Sequence, residues 1–203
     1  MRYAIFGGSF NPIHNGHIII VQKMLDDIPG LQKLFVIPAG CSPFKRQMQD
    51  QLHFEVRYNW CSRIFSTIDG TDTLDIERGD RIESPSYTYQ TLERLYDLFH
   101  AYPLLIIGQD SLASFHQWRH YEHILDRCEL AVFKRRGFSG QVCVDAKYLH
   151  KITVYDTPYI EISSTEIRKR IKRQQSIKGY VPESLEEDMI QKYKKQSDDN
   201  EKN

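Results

Sequence analysis

The chain has 203 residues, of which 40% are hydrophobic and 12% aromatic, and its 27 Lys and Arg residues balance 27 Asp and Glu residues. Such a chain can bury a hydrophobic core, which excludes an intrinsically disordered protein, a collagen-like protein and a disulfide-stapled miniprotein. Because the formal net charge is zero, no global field attracts a nucleic-acid backbone. We therefore expect no nucleic acid as partner, and a small anionic ligand held by local basic groups.

The N-terminus and the cysteines bear on the compartment. The opening residues, MRYAIFGGSF, lack a signal-peptide architecture, and the longest apolar runs, residues 18–21 and 104–107, are too short to span a bilayer. We therefore expect a cytoplasmic protein without a membrane partner. The cysteines form no CxxC pair, so we interpret them as buried or incidental thiols. They are Cys41, Cys61, Cys128 and Cys143.

Short apolar runs alternate with longer stretches of helical periodicity along the chain. The predicted strands are residues 2–6, 33–37, 73–77, 104–107 and 129–133, and the predicted helices are residues 17–28, 52–68, 87–99 and a helical stretch that ends at Asp126. This order predicts an α/β fold of the Rossmann-like, doubly wound type, with a mostly parallel sheet covered on both faces. Right-handed crossovers place the strand-to-helix loops at the carboxyl edge of the sheet, where such folds bind ligands.

The chain shows neither an internal repeat nor a low-complexity linker. We predict a single domain over residues 1–195, with a helical C-terminal part from about residue 163. Residues 196–203, QSDDNEKN, have the composition of a frayed polar tail.

Residues 7–17, GGSFNPIHNGH, follow the first predicted strand and lead into an amphipathic helix. Paired glycines let backbone N–H groups approach a phosphate, Pro12 stiffens the turn, and a helix N-terminus offers donors to an anion. The segment matches neither GxGxxG nor GxxxxGK[ST], which disfavours hydride-transfer cofactors and P-loop chemistry. His14 and His17 can face one ligand. Zinc binding by the pair is the alternative, although no third ligand lies at suitable spacing.

Two segments near the C-terminus have features of helix ends and helix faces. Residues 163–166, SSTE, form a capping-box pattern in which Ser163 is the N-cap and Glu166 reaches back, and such a helix start can also hold phosphate. The basic run at residues 168–173 has the composition of an RNA patch. Helical spacing spreads its charges around the helix, so we interpret most of it as a solvated surface.

Several blocks resemble the bacterial nicotinate-nucleotide adenylyltransferase family, in the family's order. GGSFNPIHNGH is similar to the HxGH signature of the nucleotidyltransferase superfamily. The further blocks are PAGCSPFK at residues 38–45, SPSYTYQTL at 84–92, IGQD at 107–110 followed by Trp118, ISSTEIR at 162–168 and GYVP at 179–182. The resemblance extends over residues 2–193. The chain departs from the family pattern at Asn11, Phe44, Gln109 and Arg136, none of which removes a charge that the chemistry needs.

The resemblance implies transfer of AMP from ATP to the 5′-phosphate of nicotinate mononucleotide, which gives deamido-NAD and pyrophosphate. Because the acceptor phosphate is already an anion, no general base is needed, and catalysis depends on positioning two polyanions and stabilising their charge. The implied catalytic residues are His14, His17, Lys45 and Arg168. The implied ATP-binding residues are Gly7, Gly8, Ser9, Phe10, Arg135, Ile162, Ser163, Ser164 and Thr165. Those for the nicotinate nucleotide are Thr88, Gly108, Asp110 and Trp118.

Each implied group has a chemical reason. His17 is expected to donate to the α-phosphate in the transition state, and His14 to help hold the ATP phosphates. Trp118 offers an aromatic face to the pyridine ring, Thr88 and nearby backbone N–H groups suit its carboxylate, and Asp110 suits ribose hydroxyls. Mg²⁺ is expected to arrive with ATP, without a metal ligand from the protein.

The sequence leaves alternatives open. In a second enzyme interpretation on the same fold, the acceptor is nicotinamide mononucleotide or phosphopantetheine, or the enzyme transfers a cytidylyl group to an alcohol phosphate. A nucleotide-binding sensor is the interpretation from a different class, although a sensor has no use for transition-state donors. The oligomeric state is not indicated.

Overall fold

The computed structural model describes residues 1–40, 51–76, 86–134, 144–158 and 160–200, with side chains described to residue 197. Its strands are β1 (Tyr3–Gly8), β2 (Lys33–Pro38), β3 (Thr71–Thr73), β4 (Leu104–Gly108), β5 (Leu130–Phe133) and β6 (Ile152–Tyr155). They form a six-stranded sheet in the order β3-β2-β1-β4-β5-β6, in which the neighbouring strands are parallel. The order reverses between β1 and β4, which confirms the predicted doubly wound α/β fold.

Helices cover both faces of this sheet. They are α1 (Asn15–Asp27), α2 (Phe54–Phe65), α3 (Thr88–Phe99), α4 (Gln109–Ala113), α5 (Tyr121–Arg127), α6 (Ser164–Lys172) and α7 (Glu183–Asn200). Ala4 and Phe6 of β1 pack with α1, α2, α6 and α7, whereas Tyr3 and Ile5 pack with α3, α4 and α5. Strands buried on both faces read as continuous apolar runs. Within the described ranges, no helix is long and apolar enough to cross a membrane.

Three elements differ from their predictions. Strand β3 begins at Thr71, whose hydroxyl donates to the Ile68 carbonyl over 2.8 Å. Because this buried first residue is polar, a search for apolar runs does not detect the start of the strand. The helical stretch predicted to end at Asp126 is interrupted after α4, because Trp118 is extended and His120 has a left-handed φ of 55°. Strand β6 was not predicted, since it lies at the sheet edge and Val154 is exposed.

The C-terminal helices pack against the β1 face. Helix α7 buries Leu185, Met189 and Tyr193 in the core, and it continues to Asn200, into the segment predicted as a polar tail. Composition does not show the long-range bonds that this part of the chain makes. Gln196, for example, donates to the backbone carbonyl of Gln51 over 3.1 Å.

Two cysteines lie within the described residues. Cys61 and Cys128 are buried free thiols. Burial raises the pKa of both groups, to about 12 for Cys128, so both are protonated and unreactive at neutral pH. They agree with the prediction of buried thiols, whereas Cys41 and Cys143 lie outside the described residues.

Candidate active site

A cavity of about 900 Å³ opens at the carboxyl edge of the sheet, where the strand order reverses between β1 and β4. The ends of both strands line it, together with the starts of α1, α3 and α6. This is the place at which doubly wound folds bind ligands. Its volume is near the upper end of the range of about 300–1,000 Å³ for small-molecule sites.

His14 and His17 lie where the loop after β1 turns into α1, and both line the cavity. Their rings stack with centroids 3.6 Å apart and an interplanar angle of 21°. The backbone N–H of His14 donates to Nδ1 of His17 over 3.2 Å. Because Nδ1 accepts this bond, the ring hydrogen of His17 is on Nε2. The fold therefore sets His17 as a donor through Nε2.

The loop between β1 and α1 is supported by distant parts of the chain. Phe10 has a left-handed φ of 44°, and its ring packs edge-on against His17 with centroids 4.9 Å apart. The side-chain oxygen of Asn11 accepts from the backbone N–H of Leu52 over 3.1 Å and from the Tyr193 hydroxyl over 2.8 Å. Asn11 therefore ties the histidine loop to the chain before α2 and to α7.

Arg57 of α2 also holds the loop between β1 and α1 in place, through hydrogen bonds from its buried side chain. Its side chain is 1% exposed. Nε donates to the carbonyl of Leu52 over 2.9 Å, and the two terminal nitrogens donate to the carbonyls of Ser9 over 2.6 Å and Gly40 over 3.1 Å. Ser9 belongs to the loop after β1, and Gly40 to the loop after β2. One buried guanidinium thus fixes the relative position of two loops at the strand ends.

Helix α6 docks on the histidine loop through its first turns. Ser163 is the N-cap, and its hydroxyl accepts from the backbone N–H of Glu166 over 3.2 Å. Within the described residues, this is the half of the predicted capping box that forms. Ser164 donates to the carbonyl of Pro12 over 2.8 Å, and Arg168 donates to the carbonyl of Asn11 over 2.7 Å. The helix N-terminus, which favours anions, therefore lies beside the histidine pair.

The opposite end of the cavity is formed by α3, α4 and Trp118, which pack on the other face of the sheet from α1 and α6, and it has a different chemistry. Trp118 is half-buried and packs against Phe115 with ring centroids 4.9 Å apart. Thr88 is the first residue of α3, and Asp110 lies in the first turn of α4. All three line the cavity together with Gly108. This end combines an aromatic ring, a helix N-terminus and a carboxylate, which suits a planar ring with a sugar attached.

The cavity brings together every predicted site residue that the structure describes. They are Gly7, Gly8, Ser9, Phe10, His14, His17, Thr88, Gly108, Asp110, Trp118, Ile162, Ser163, Ser164, Thr165 and Arg168. Lys45 and Arg135, predicted as a catalytic and an ATP-binding residue, lie outside the described residues. The roles assigned to all these side chains stay predictions.

Sequence reasoning missed other groups at this site. Arg119, Lys134 and Glu161 also line the cavity, and Arg57 supports it. Arg119 directly follows Trp118 in the sequence, and this adjacency is the feature that points to it. Arg57 gave no signal, because a single arginine in an amphipathic helix normally lies on the exposed face.

The donor set does not resemble a protein metal centre. Among the described residues, no group of three or more His, Cys, Asp or Glu side chains is placed to hold a metal ion. The stacked pair of His14 and His17 therefore lacks, in that part of the chain, the further ligands that zinc requires.

Comparison with known proteins gives consistent results. The cytidylyltransferase-like family matches residues 5–170. A Thermotoga petrophila protein named "Probable nicotinate-nucleotide adenylyltransferase" is 34% identical over 194 residues, which cover 93% of this chain and 94% of that protein. A Clostridium tetani protein of the same name is 35% identical over 201 residues, which cover 95% and 97% of the two chains.

Solved structures share the fold. The nicotinic acid mononucleotide adenylyltransferase of Plasmodium falciparum, complexed with NaAD, superposes with a TM-score of 0.73 at 22% identity, covering 97% of each chain. The same enzyme complexed with APC superposes with a TM-score of 0.71 at 22% identity and the same coverage. At this identity the likeness establishes the architecture, which agrees with the predicted Rossmann-like fold.

Proposed function

The chain belongs to the cytidylyltransferase-like family and, within it, to the nicotinate-nucleotide adenylyltransferases, and we propose that it transfers the adenylyl group of ATP to nicotinate mononucleotide. The observation that carries this proposal is the division of one cavity into two ends. The histidine pair, the N-terminus of α6 and Arg168 lie at one end, and Trp118, Thr88 and Asp110 at the other. An anion-binding end beside an aromatic end matches a reaction between two nucleotides.

The chemistry follows from the donors present. The 5′-phosphate of the acceptor attacks the α-phosphorus of ATP, the bond to the β-phosphate oxygen breaks, and pyrophosphate leaves. His17 donates through Nε2 to a non-bridging α-phosphate oxygen as charge develops there. Arg168 and the first turn of α6 hold the triphosphate. Since the nucleophile is already an anion, no proton has to be removed from it and this scheme needs no general base.

The acceptor is held by the other end of the cavity. The Trp118 ring stacks on the pyridine ring, and the Asp110 carboxylate accepts from ribose hydroxyls. N–H groups at the start of α3, beside Thr88, suit an anionic substituent on the pyridine ring. Mg²⁺ would arrive with ATP and would neutralise part of the phosphate charge, and among the described residues no cluster of three or more His, Cys, Asp or Glu side chains would hold it.

The experiment that tests the proposal is an initial-rate assay with purified protein, ATP and Mg²⁺. We expect pyrophosphate and deamido-NAD with nicotinate mononucleotide, and a much lower kcat/KM with nicotinamide mononucleotide, because the N–H donors at the start of α3 favour a carboxylate over a neutral amide. Chromatography of the dinucleotide together with pyrophosphate release measures both. Absence of product with either mononucleotide would refute the proposal, and equal use of the two would refute the preference for the acid.

Replacing Gly108 by alanine is expected to weaken binding of the pyridine nucleotide. The added methyl group would overlap the Asp110 carboxylate and lie 3.1 Å from the Phe133 ring. Since the φ of Gly108 is −77°, alanine is compatible with the backbone and the effect is steric. We expect a loss of about 1–3 kcal/mol of stability and a raised KM for nicotinate mononucleotide.

The matched control is Gly7→Ala, because a methyl group at Gly7 meets nothing within 4 Å. It is expected to cost less stability than Gly108→Ala in thermal denaturation. An unchanged KM for nicotinate mononucleotide in Gly108→Ala would show that binding of this substrate does not depend on the present position of the Asp110 carboxylate.

A further inference from the structure

The described cavity lining includes three strongly basic side chains, and they are not equivalent. Lys134 is paired with Asp156, with Nζ 2.7 Å from Oδ1. Arg168 donates to the Asn11 carbonyl at the phosphate end. Arg119 follows Trp118 and lies at the aromatic end. The proposed function places the pyridine nucleotide, and not the ATP phosphates, at that end.

The Arg119 guanidinium is held in place by an aromatic side chain. Its central carbon lies 4.9 Å from the centroid of the Tyr87 ring, and the interaction with the Tyr87 side chain raises the pKa of this guanidinium. Tyr87 is the N-cap residue of α3 and precedes Thr88. Among the residues that the structure describes, Arg119 forms no ion pair with a carboxylate. Its charge is therefore available to a ligand at the start of α3.

We propose that Arg119 is a specificity-determining residue that selects an acceptor with a carboxylate on its aromatic ring over one with a neutral amide. This inference rests on the proposed function and deepens it. A ring stacked on Trp118 places its substituent near the start of α3, where the guanidinium and the helix N-terminus both favour an anion. A carboxamide offers an oxygen acceptor without the charge. Arg119 thus stabilises one substrate more than the other, which is what specificity requires.

The test compares Arg119→Gln with the unaltered enzyme, using nicotinate and nicotinamide mononucleotides as the charged and neutral probes. Because Arg119 is exposed and solvent screens its charge, we expect kcat/KM for the acid to fall by only about tenfold. The kcat/KM for the amide and the KM for ATP are expected to change little. Arg119→Lys, which keeps the charge but not the planar fork, is expected to be intermediate.

Arg127→Gln is the matched control. Its guanidinium also lies on a tyrosine ring, 5.7 Å from the centroid of Tyr102, and donates to that hydroxyl over 3.0 Å. Arg127 is not part of the cavity wall, so the ratio of acid to amide should stay unchanged. An equal loss for both mononucleotides in Arg119→Gln, or no loss, would overturn the inference. Failure of the unaltered enzyme to use the acid would instead refute the proposed function.

Discussion

Substitution of His17 by alanine is expected to lower kcat by about 10²–10³-fold, the usual cost of removing one donor to developing oxyanion charge. The KM for ATP is expected to change by no more than several-fold, because Arg168 and the α6 N-terminus, which we propose to hold the phosphates, are unaltered. The loss of kcat follows from the hydrogen bond that the His14 N–H donates to Nδ1 of His17. That bond leaves Nε2 as the donor, and alanine removes it while the backbone of α1 remains.

Two further variants separate the effect of the Nε2 hydrogen-bond donor from the effect of ring packing at His17. His17→Gln carries an amide N–H at about the reach of Nε2, whereas the side chain of His17→Asn ends near the position of Nδ1. Glutamine is therefore expected to recover part of the lost turnover and asparagine little of it. If only packing against Phe10 and His14 mattered, the amide variants would not differ in this order.

The control for this series is His150→Ala. His150 is an exposed histidine in the 3-10 turn Ala146–Lys151, away from the cavity. Its kcat should equal that of the unaltered enzyme in the same pyrophosphate-release assay. A His17→Ala enzyme with near-normal kcat and normal thermal stability would remove His17 from the mechanism.

The features that sequence predicted well are local in the chain. The paired glycines and both histidines lie within residues 7–17, and the helix start that favours an anion follows directly. Alternating apolar strands and amphipathic helices predicted the doubly wound sheet, because strands buried on both faces read as apolar runs. The loops after parallel strands all lie at the carboxyl edge of such a sheet, so their residues are predicted to share one cavity even when no tertiary contact is known.

The features that sequence missed depend on contacts between distant segments. The Asn11 side chain is bonded to Tyr193, and Arg57 is bonded to Ser9 and Gly40. Nothing in the local pattern around Arg57 predicts that a charged side chain turns inwards. Polar residues that are satisfied by backbone carbonyls are invisible to hydrophobic periodicity, although they decide where the active-site loops lie.

Replacing Arg57 by methionine is expected to destabilise the protein by about 3 kcal/mol or more, because each buried acceptor left without a donor costs about 1–3 kcal/mol. The carbonyls of Leu52, Ser9 and Gly40 would all lose the donor that Arg57 supplies. For a domain of this size, a loss of about 3 kcal/mol lowers Tm by about 6–12 °C. Thermal denaturation followed by circular dichroism measures this.

Arg57→Lys keeps the positive charge and is expected to fold. It tests whether Arg57 also sets the relative position of the loops after β1 and β2. A single ammonium cannot reproduce a fork that reaches three carbonyls, so the loops after β1 and β2 would shift relative to each other. We expect kcat to fall by about tenfold or more, since small misplacements of catalytic groups are costly, with a smaller change in Tm than for Arg57→Met. Arg63→Met, which removes an exposed hydrogen bond of 3.1 Å to the Ser184 carbonyl from the same helix, should leave kcat unchanged and lower Tm less than Arg57→Met does. Full activity in a folded Arg57→Lys enzyme would show that the guanidinium stabilises the fold without setting the geometry of the reaction.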